Sequence, residues 1–441
     1  MEFGRHIGKG VWAFADKLLP VIWGICNIFL VQRVLPISEY AGLAVTLQIF
    51  LVVTMLNTSL AFQPLIKFVA EGEDSGKYIS ASLVISSLFF IMSGGVLVIF
   101  KSFFLHLLDR TGQGNLGQLF NFLPLMFFMA WFRNFAVSLL QAKYRVQRIF
   151  WIDSAYYIGV PLLILLAQYF GRYSVARDVI LINISGLAAS TLVAIPLTYN
   201  DMRFGIKFDK APFIQMYNFG KFTFWGSAMY TFFGQADVFF VSSYAGILAV
   251  APYSIAKTFT RVFDMMTQVI QMFLVPFSSK ASTQKNRTQL SAVAEKTVCF
   301  STLLFLPIFI ILFFFPQPML HLLYRGKFDN AAPLLRILSL LSFIAPWNAV
   351  VGSYFVGTGR VKEGFISGIF LMGISLILYV ILTPLFGAKG TAAGLVSAFF
   401  IVTVGLVRYQ QRIAPLRLGA VIKRVSDING FMQTMVSNNK K

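Results

Sequence analysis

Long apolar runs follow one another along almost the whole chain, separated by short polar stretches. A membrane-crossing helix needs about 20 mainly apolar residues. Runs of that kind lie at 10–35, 40–66, 78–104, 117–142, 149–171, 176–200, 217–246, 248–279, 293–316, 331–357, 363–387 and 390–412. Many exceed the minimum, which leaves room for tilt. Pro20, Pro124, Pro161, Pro252, Pro276 and Pro346 fall inside the runs, and lipid tolerates such kinks where neighbouring helices satisfy the freed carbonyls. The pattern predicts an all-α integral membrane protein of about twelve transmembrane helices. Composition agrees: 57% of residues are hydrophobic and 12% charged, against about 25% charged in a soluble domain.

The chain also reads twice. Tyr40-Ala41-Gly42-Leu43-Ala44 is answered 213 positions later by Tyr253-Ser254-Ile255-Ala256-Lys257. Pro64-Leu65-Ile66-Lys67 is answered at 212 by Pro276-Phe277-Ser278-Ser279-Lys280, and Arg145-Val146-Gln147-Arg148-Ile149-Phe150 at 215 by Arg360-Val361-Lys362-Glu363-Gly364-Phe365. A repeat of nearly half an apolar chain points to a two-lobed membrane transporter. The expected division is a six-helix lobe at 1–200, a polar linker at 201–216, a second six-helix lobe at 217–412 and a basic tail at 413–441. An even number of spans per repeat means both lobes cross the membrane in the same sense. In the tail, Leu416, Leu418, Val421, Ile422, Val425 and Ile428 alternate with Arg417, Lys423 and Arg424, which reads as an amphipathic helix on anionic lipid.

Loop charges set the orientation, because Lys and Arg concentrate on the cytoplasmic side. One side carries Arg5 and Lys9, Lys67 and Lys77, Lys143, Arg145 and Arg148, the linker cations, Lys280 to Lys296, Arg360 and Lys362, and the tail. The other carries fewer, among them Arg33, Lys101, Arg110, Arg325 and Lys389. Both termini are therefore expected in the cytoplasm, as an even span count requires. The first apolar run is too long for a signal peptide and no small-residue cleavage site follows it.

Several chemistries drop out. Cys26 and Cys299 lie in apolar runs and His6, His106 and His321 are scattered, so no metal cluster or disulfide framework is expected. Gly112-Gln113-Gly114-Asn115-Leu116-Gly117 fits a dinucleotide fingerprint by letter but follows no strand. There is no P-loop for ATP and no nucleophile–base arrangement, so neither an enzyme nor a cofactor is expected. The net charge of +20 sits in loops of one parity, which is topology and not a nucleic-acid stripe.

The informative residues are charges inside spans, each costing about 2.5–3.5 kcal/mol at a helix centre and normally facing a cavity or a partner. Lys17 stands beside Asp16 before Pro20; it is a cavity cation or a local, snorkelling pair. Arg133, beside Asn134, is mid-span and is a cavity cation or half of a structural pair. Asp237 is a salt-bridge partner or an ion-coupling acid. Lys257, Arg261 and Asp264 share one helical face, a net positive stripe suited to an anion unless the triad neutralises itself. Arg261 is the foremost candidate, because guanidinium clamps phosphate oxygens bidentately. Glu295 and Lys296 read as a helix-end pair.

Phe219-Gly220-Lys221, Gln235-Ala236-Asp237, Tyr244-Ala245-Gly246 and Ala251-Pro252-Tyr253-Ser254-Ile255-Ala256 resemble the start of the second lobe in polysaccharide-transport flippases. Gly8-Lys9-Gly10, Arg33-Val34-Leu35 and Glu39-Tyr40-Ala41-Gly42 resemble the start of their first lobe. These proteins form part of the multidrug/oligosaccharidyl-lipid/polysaccharide (MOP) flippase superfamily, and length and span count look like the Wzx-type O-antigen flippases. The resemblance implies two pseudo-symmetric six-helix lobes around a central cavity, opening alternately to each side. It implies export of an undecaprenyl-pyrophosphate-linked oligosaccharide from the cytoplasmic to the periplasmic leaflet, coupling to a proton or sodium gradient, and polysaccharide polymerase machinery as a partner. On that reading Arg261, Lys257, Arg133 and Lys17 hold the substrate, while Asp237 and Asp264 couple ions or form cavity salt bridges. Two rivals stand beside it: a cation-coupled multidrug exporter of the same superfamily, and a non-transporting scaffold of a glycan-assembly complex.

Overall fold

The computed structural model describes residues 2–70, 75–109, 115–171, 173–202, 209–283, 287–358, 360–411, 419 and 421. The expected tail helix lies outside the described residues, as do most of the linker and the glycine-rich loop at 112–114. Among the described residues the chain is helical throughout, with no strand. The first half runs through α1 (Glu2–Asn27), α2 (Ile37–Asn57), α3 (Gln63–Ala70), α4 (Ser75–Ile99), α5 (Lys101–Leu108), α6 (Leu116–Leu119), α7 (Leu123–Ala142), α8 (Val146–Tyr157), α9 (Gly159–Tyr169) and α10 (Ala176–Tyr199). The second runs through α11 (Lys210–Phe240), α12 (Ile247–Thr283), α13 (Arg287–Phe314), α14 (Pro316–Tyr324), α15 (Ala332–Ser339), α16 (Leu341–Gly357), α17 (Val361–Phe386) and α18 (Ala388–Gln410).

Among the described residues ten segments, from Ala15–Gln32 to Ala388–Gln410, are long and apolar enough to cross a membrane. The other two expected spans, 217–246 and 248–279, coincide with α11 and α12, which are longer still. They fall short in apolarity and not in length. Gln215, Asn218, Lys221, Gln235 and Asp237 interrupt α11, and Lys257, Arg261, Asp264, Gln268 and Gln271 interrupt α12.

The repeat is written into the backbone. The first span ends in a π-helical turn, Ile28–Gln32, and the seventh in another, Val241–Ala245, at the same 213-residue offset as the tyrosine motifs. The α7–α8 turn is closed by the Arg145 amide donating to Leu140 O (2.9 Å), and the α16–α17 turn by the Arg360 amide donating to Phe355 O (2.7 Å). That pair keeps the 215 offset.

Packing divides the chain into two compact units: Met1–Ala251 with Leu323–Lys327, and Pro252–Leu322 with Phe328–Lys441. The packing boundary thus lies inside the eighth span and not at the linker. In unit 1, α11 packs on α2, α3 and α4. Met216 joins a core with Phe62, Leu65, Phe135 and Leu139, and Tyr78 donates to Gln215 Oε1 (2.8 Å). Gly220 lets α11 touch the chain after α2, because a Cβ there would stand 2.1 Å from Leu60 O. At the foot of α11, Asp209 accepts from the Ala211 amide (3.1 Å) and pairs with Lys77 (3.2 Å). The amide first, then Lys77, hold its carboxyl below the usual carboxylate range. At the same level Asp201, only 3% exposed, pairs with Lys143, Arg145 and Arg148 and ties the α7–α8 turn to the end of α10.

In unit 2 the core is built by Leu274, Val298, Val350 and Tyr354. The α17–α18 hairpin packs so closely that a Cβ on Gly390 would stand 1.9 Å from Leu382 O. Small residues at such crossings let helix backbones approach in lipid.

Candidate functional site

Among the described residues, in-span charges gather at one site in each unit. In unit 1, α1, α7, α8 and α10 each contribute polar residues at mid-span. Arg133 of α7 is fully engaged. Its Nη2 reaches Asp153 Oδ1 at 2.5 Å, its Nε donates to Ser190 Oγ (3.0 Å), and its Nη1 donates to Asn134 Oδ1 (3.1 Å). The guanidinium also lies 5.2 Å from the centre of the Tyr156 ring. Ser190 Oγ donates onward to Ile152 O, and Tyr156 Oη donates to Asn183 Oδ1 (2.9 Å). Asp153 also faces Asp16 and Lys17 across from α1. Asp16 is buried and Lys17 is exposed, with 3.3 Å between their charged atoms. Asp16 Oδ1 is buried and has no hydrogen-bond partner.

Lys17 and Arg133, expected as cavity cations, therefore belong to one cluster of two bases and two acids. Both are charge-balanced there by Asp16 and Asp153. Asp153 was missed by the sequence reading, although a usable signal existed. It is the only acid within 149–171, and lone in-span acids are functional candidates by default.

In unit 2, α12 carries Lys257, Arg261 and Asp264 at i, i+4 and i+7 spacing. Arg261 and Asp264 are exposed and Lys257 is half-buried. Asp264 feels the fields of both cations, so the triad is a single electrostatic unit carrying one net positive charge. Asp237 belongs to a different helix. It is buried on α11 in unit 1, where its Oδ1 accepts from the Val238 amide (2.9 Å). Among the described residues, no group of three or more His, Cys, Asp or Glu is placed to hold a metal ion.

Comparison with known proteins shows what this architecture is similar to. The MatE family model matches residues 223–381. An uncharacterized membrane protein of Methanocaldococcus jannaschii, MJ1068, is 26% identical over 192 residues, which is 43% of this chain and only 38% of that relative's length. A probable low-salt glycan biosynthesis flippase of Haloferax volcanii, Agl15, is 20% identical over 358 residues, covering 77% of this chain and 69% of the relative. Among solved structures, a lipid II flippase, MurJ, in an inward closed conformation superposes with a TM-score of 0.75 at 14% identity, over 99% of this chain and 93% of the other. An inward-facing multidrug-resistance MATE transporter gives 0.73 at 13% identity, over 93% and 99%. The fold is the one those multi-pass membrane proteins share. The partial MatE match and these superpositions make the chain similar to flippases and multidrug transporters of the MOP superfamily.

Proposed function

We propose that this transporter flips an undecaprenyl-pyrophosphate-linked oligosaccharide from the cytoplasmic to the periplasmic leaflet by alternating access. The observation that carries the reading is the exposed, net positive face of α12. A helix of membrane-spanning length that presents Lys257, Arg261 and Asp264 is a poor lipid face and a good anion face. Phosphate leaves water cheaply only where fixed cations replace its hydration. Arg261 would grip pyrophosphate oxygens in a fork, Lys257 would add a point charge beside it, and Asp264 would hold the guanidinium in position. Lys17, exposed at the edge of the unit 1 cluster, is a second contact for acidic sugars. Arg133 acts through the pair it makes with Asp153, setting the local field. The named activities of the Haloferax flippase and of the lipid II flippase support a lipid-linked glycan as cargo.

A cation-coupled drug exporter is the second reading, favoured by the MatE match and by the neighbouring acids Asp16 and Asp153. Coupling to a proton or sodium gradient fits either reading, with Asp237, Asp264 and Asp153 as the acids to test. Flipping of a labelled lipid-linked oligosaccharide in proteoliposomes separates the two. Arg261→Ala should lower the rate by about ten- to a hundredfold, the worth of a charged hydrogen-bonded contact, while Arg261→Lys retains part of it. Full activity in Arg261→Ala would sink the assignment.

A further inference from the structure

Residues Leu323–Lys327 lie in the second half of the sequence yet pack within unit 1. Arg325 (φ 55°) and Gly326 (φ 83°) both adopt left-handed backbone, and this reverses the chain sharply enough to aim Tyr324 and Lys327 at the end of the first span. That span ends in the π turn Ile28–Gln32, where the Arg33 amide reaches back five residues to Ile28 O (3.1 Å). A helix end leaves carbonyls to be satisfied by other groups. Here Leu30 O accepts from Tyr173 Oη (2.8 Å) and Gln168 Nε2 (3.2 Å). Gln32 O and Arg33 O face Lys327 Nζ at 3.3 and 3.5 Å. Gln32 joins the pieces through its side chain: Oε1 accepts from Tyr324 Oη (2.7 Å) and Nε2 donates to Tyr40 Oη (3.0 Å). Gln32 is 3% exposed and Tyr324 1%. Burial, more than the neighbouring Tyr40, pushes the Tyr324 phenol up, so it stays a donor.

The other repeat mirrors this arrangement. The π turn Val241–Ala245 ends the seventh span, and Ser242 Oγ donates to Leu108 O, the last carbonyl of α5. Leu108 lies 213 residues before His321 of α14, so α5 and α14 are counterparts in the repeat. Each repeat thus sends the chain after its third span to the π turn that ends the other repeat's first span.

We propose that these reciprocal contacts form a clasp, with Gln32 as its central positioning residue, that closes the end of unit 1 remote from the start of α1 and has to release in each transport cycle. The proposal rests on the alternating-access reading above. A one-residue helical slip is a cheap element to switch, because the turn can exchange one carbonyl for the next without leaving its amide unpaired.

The test uses the full-length protein with Cys26 and Cys299 replaced by alanine. One reporter cysteine is introduced by Leu35→Cys, which lies just past the π turn and is fully buried. A control is introduced by Leu139→Cys, fully buried in α7. A water-soluble maleimide then reads how often each site opens. Gln32→Ala should raise labelling at the first reporter by about tenfold, and Tyr324→Phe by about threefold, as expected for loss of two buried hydrogen bonds and of one. The control should not change. Equal rises at both reporters would mean general loosening and would overturn the clasp, as would no rise at position 35. In a second arm, Gln32→Cys with Tyr324→Cys is bridged by a short thiol cross-linker. Flipping should stop and return on cleavage of the bridge, whereas undiminished flipping with the bridge in place overturns the release step. Labelling needs no substrate, so a gated protein that moves no lipid-linked glycan would remove the cargo assignment and leave the clasp standing.

Discussion

Arg133 shows what one in-span charge costs and what holds it. Its side chain is 12% exposed and that of Asp153 15%, so both have left water and each depends on the other. Removing one partner of a buried pair costs about 3–5 kcal/mol, because the remaining charge is stranded. Asp153→Ala should therefore lower the melting temperature in detergent more than most α8 substitutions. Arg133→Met combined with Asp153→Leu should be milder than either change alone, and a double-mutant cycle reads that coupling. Additive effects would show that the pair is not a unit. Asp209 makes the complementary prediction in pH. Its folded-state carboxyl sits below the unfolded value, so its contribution is present at neutral pH and fades as the pH falls through the folded value. Asp209→Asn should flatten the acid limb of a thermal-stability profile and leave the limb above neutral pH unchanged. The sequence put Arg133 at mid-span and left open whether a cavity or a partner received it. Choosing needs to know that α8 lies against α7, and helical periodicity fixes the face of a residue but not which helix it meets.

At the scale of elements, the repeat was the most legible feature and the packing the least. Motif offsets of 213 and 215 reappear as paired π turns and paired turn-closing hydrogen bonds, and the backbone keeps the repeat where the residues do not, since IFLVQ in the first turn stands against VSSYA in the second. What periodicity could not give is the allegiance of α11. Its residues open the second repeat, yet its Met216 and Thr223 are spent on the first unit, Thr223 Oγ1 donating to Ser59 O (2.6 Å). Close approach is what permits this contact. Gly220→Ala would put a methyl group 2.1 Å from Leu60 O, and backbone cannot yield as a side-chain tip can. The substitution should destabilise by about 1–3 kcal/mol or more, the usual cost of overpacking. Gly234→Ala on the same helix, in more open space, should be nearly silent. Equal melting temperatures for the two variants would contradict the crossing as described.

At the scale of the whole molecule, polarity along the spans is what bears on the proposed cargo. The unit 1 cluster balances Asp16 and Asp153 against Lys17 and Arg133, while α12 sets Asp264 against Lys257 and Arg261. With buried Asp237 the in-span charges of these helices balance, but those that are exposed, Lys17, Arg261 and Asp264, are net positive, and a positive face repels the cationic drugs that an exporter of cations must hold. The two helices that fail the apolarity expected of a span, α11 and α12, fail because of these polar positions. That makes them the helices least suited to lipid and best suited to a hydrated headgroup. A strain lacking the protein should accumulate lipid-linked oligosaccharide on the cytoplasmic leaflet, identified by mass spectrometry, with unchanged susceptibility to cationic drugs. Arg261→Glu should reproduce the accumulation in the complemented strain, because it turns the exposed charge of the α12 face from positive to negative. If drug susceptibility changes and the glycan does not accumulate, the positive face serves packing, and the acids Asp16 and Asp153 become the centre of the transport chemistry.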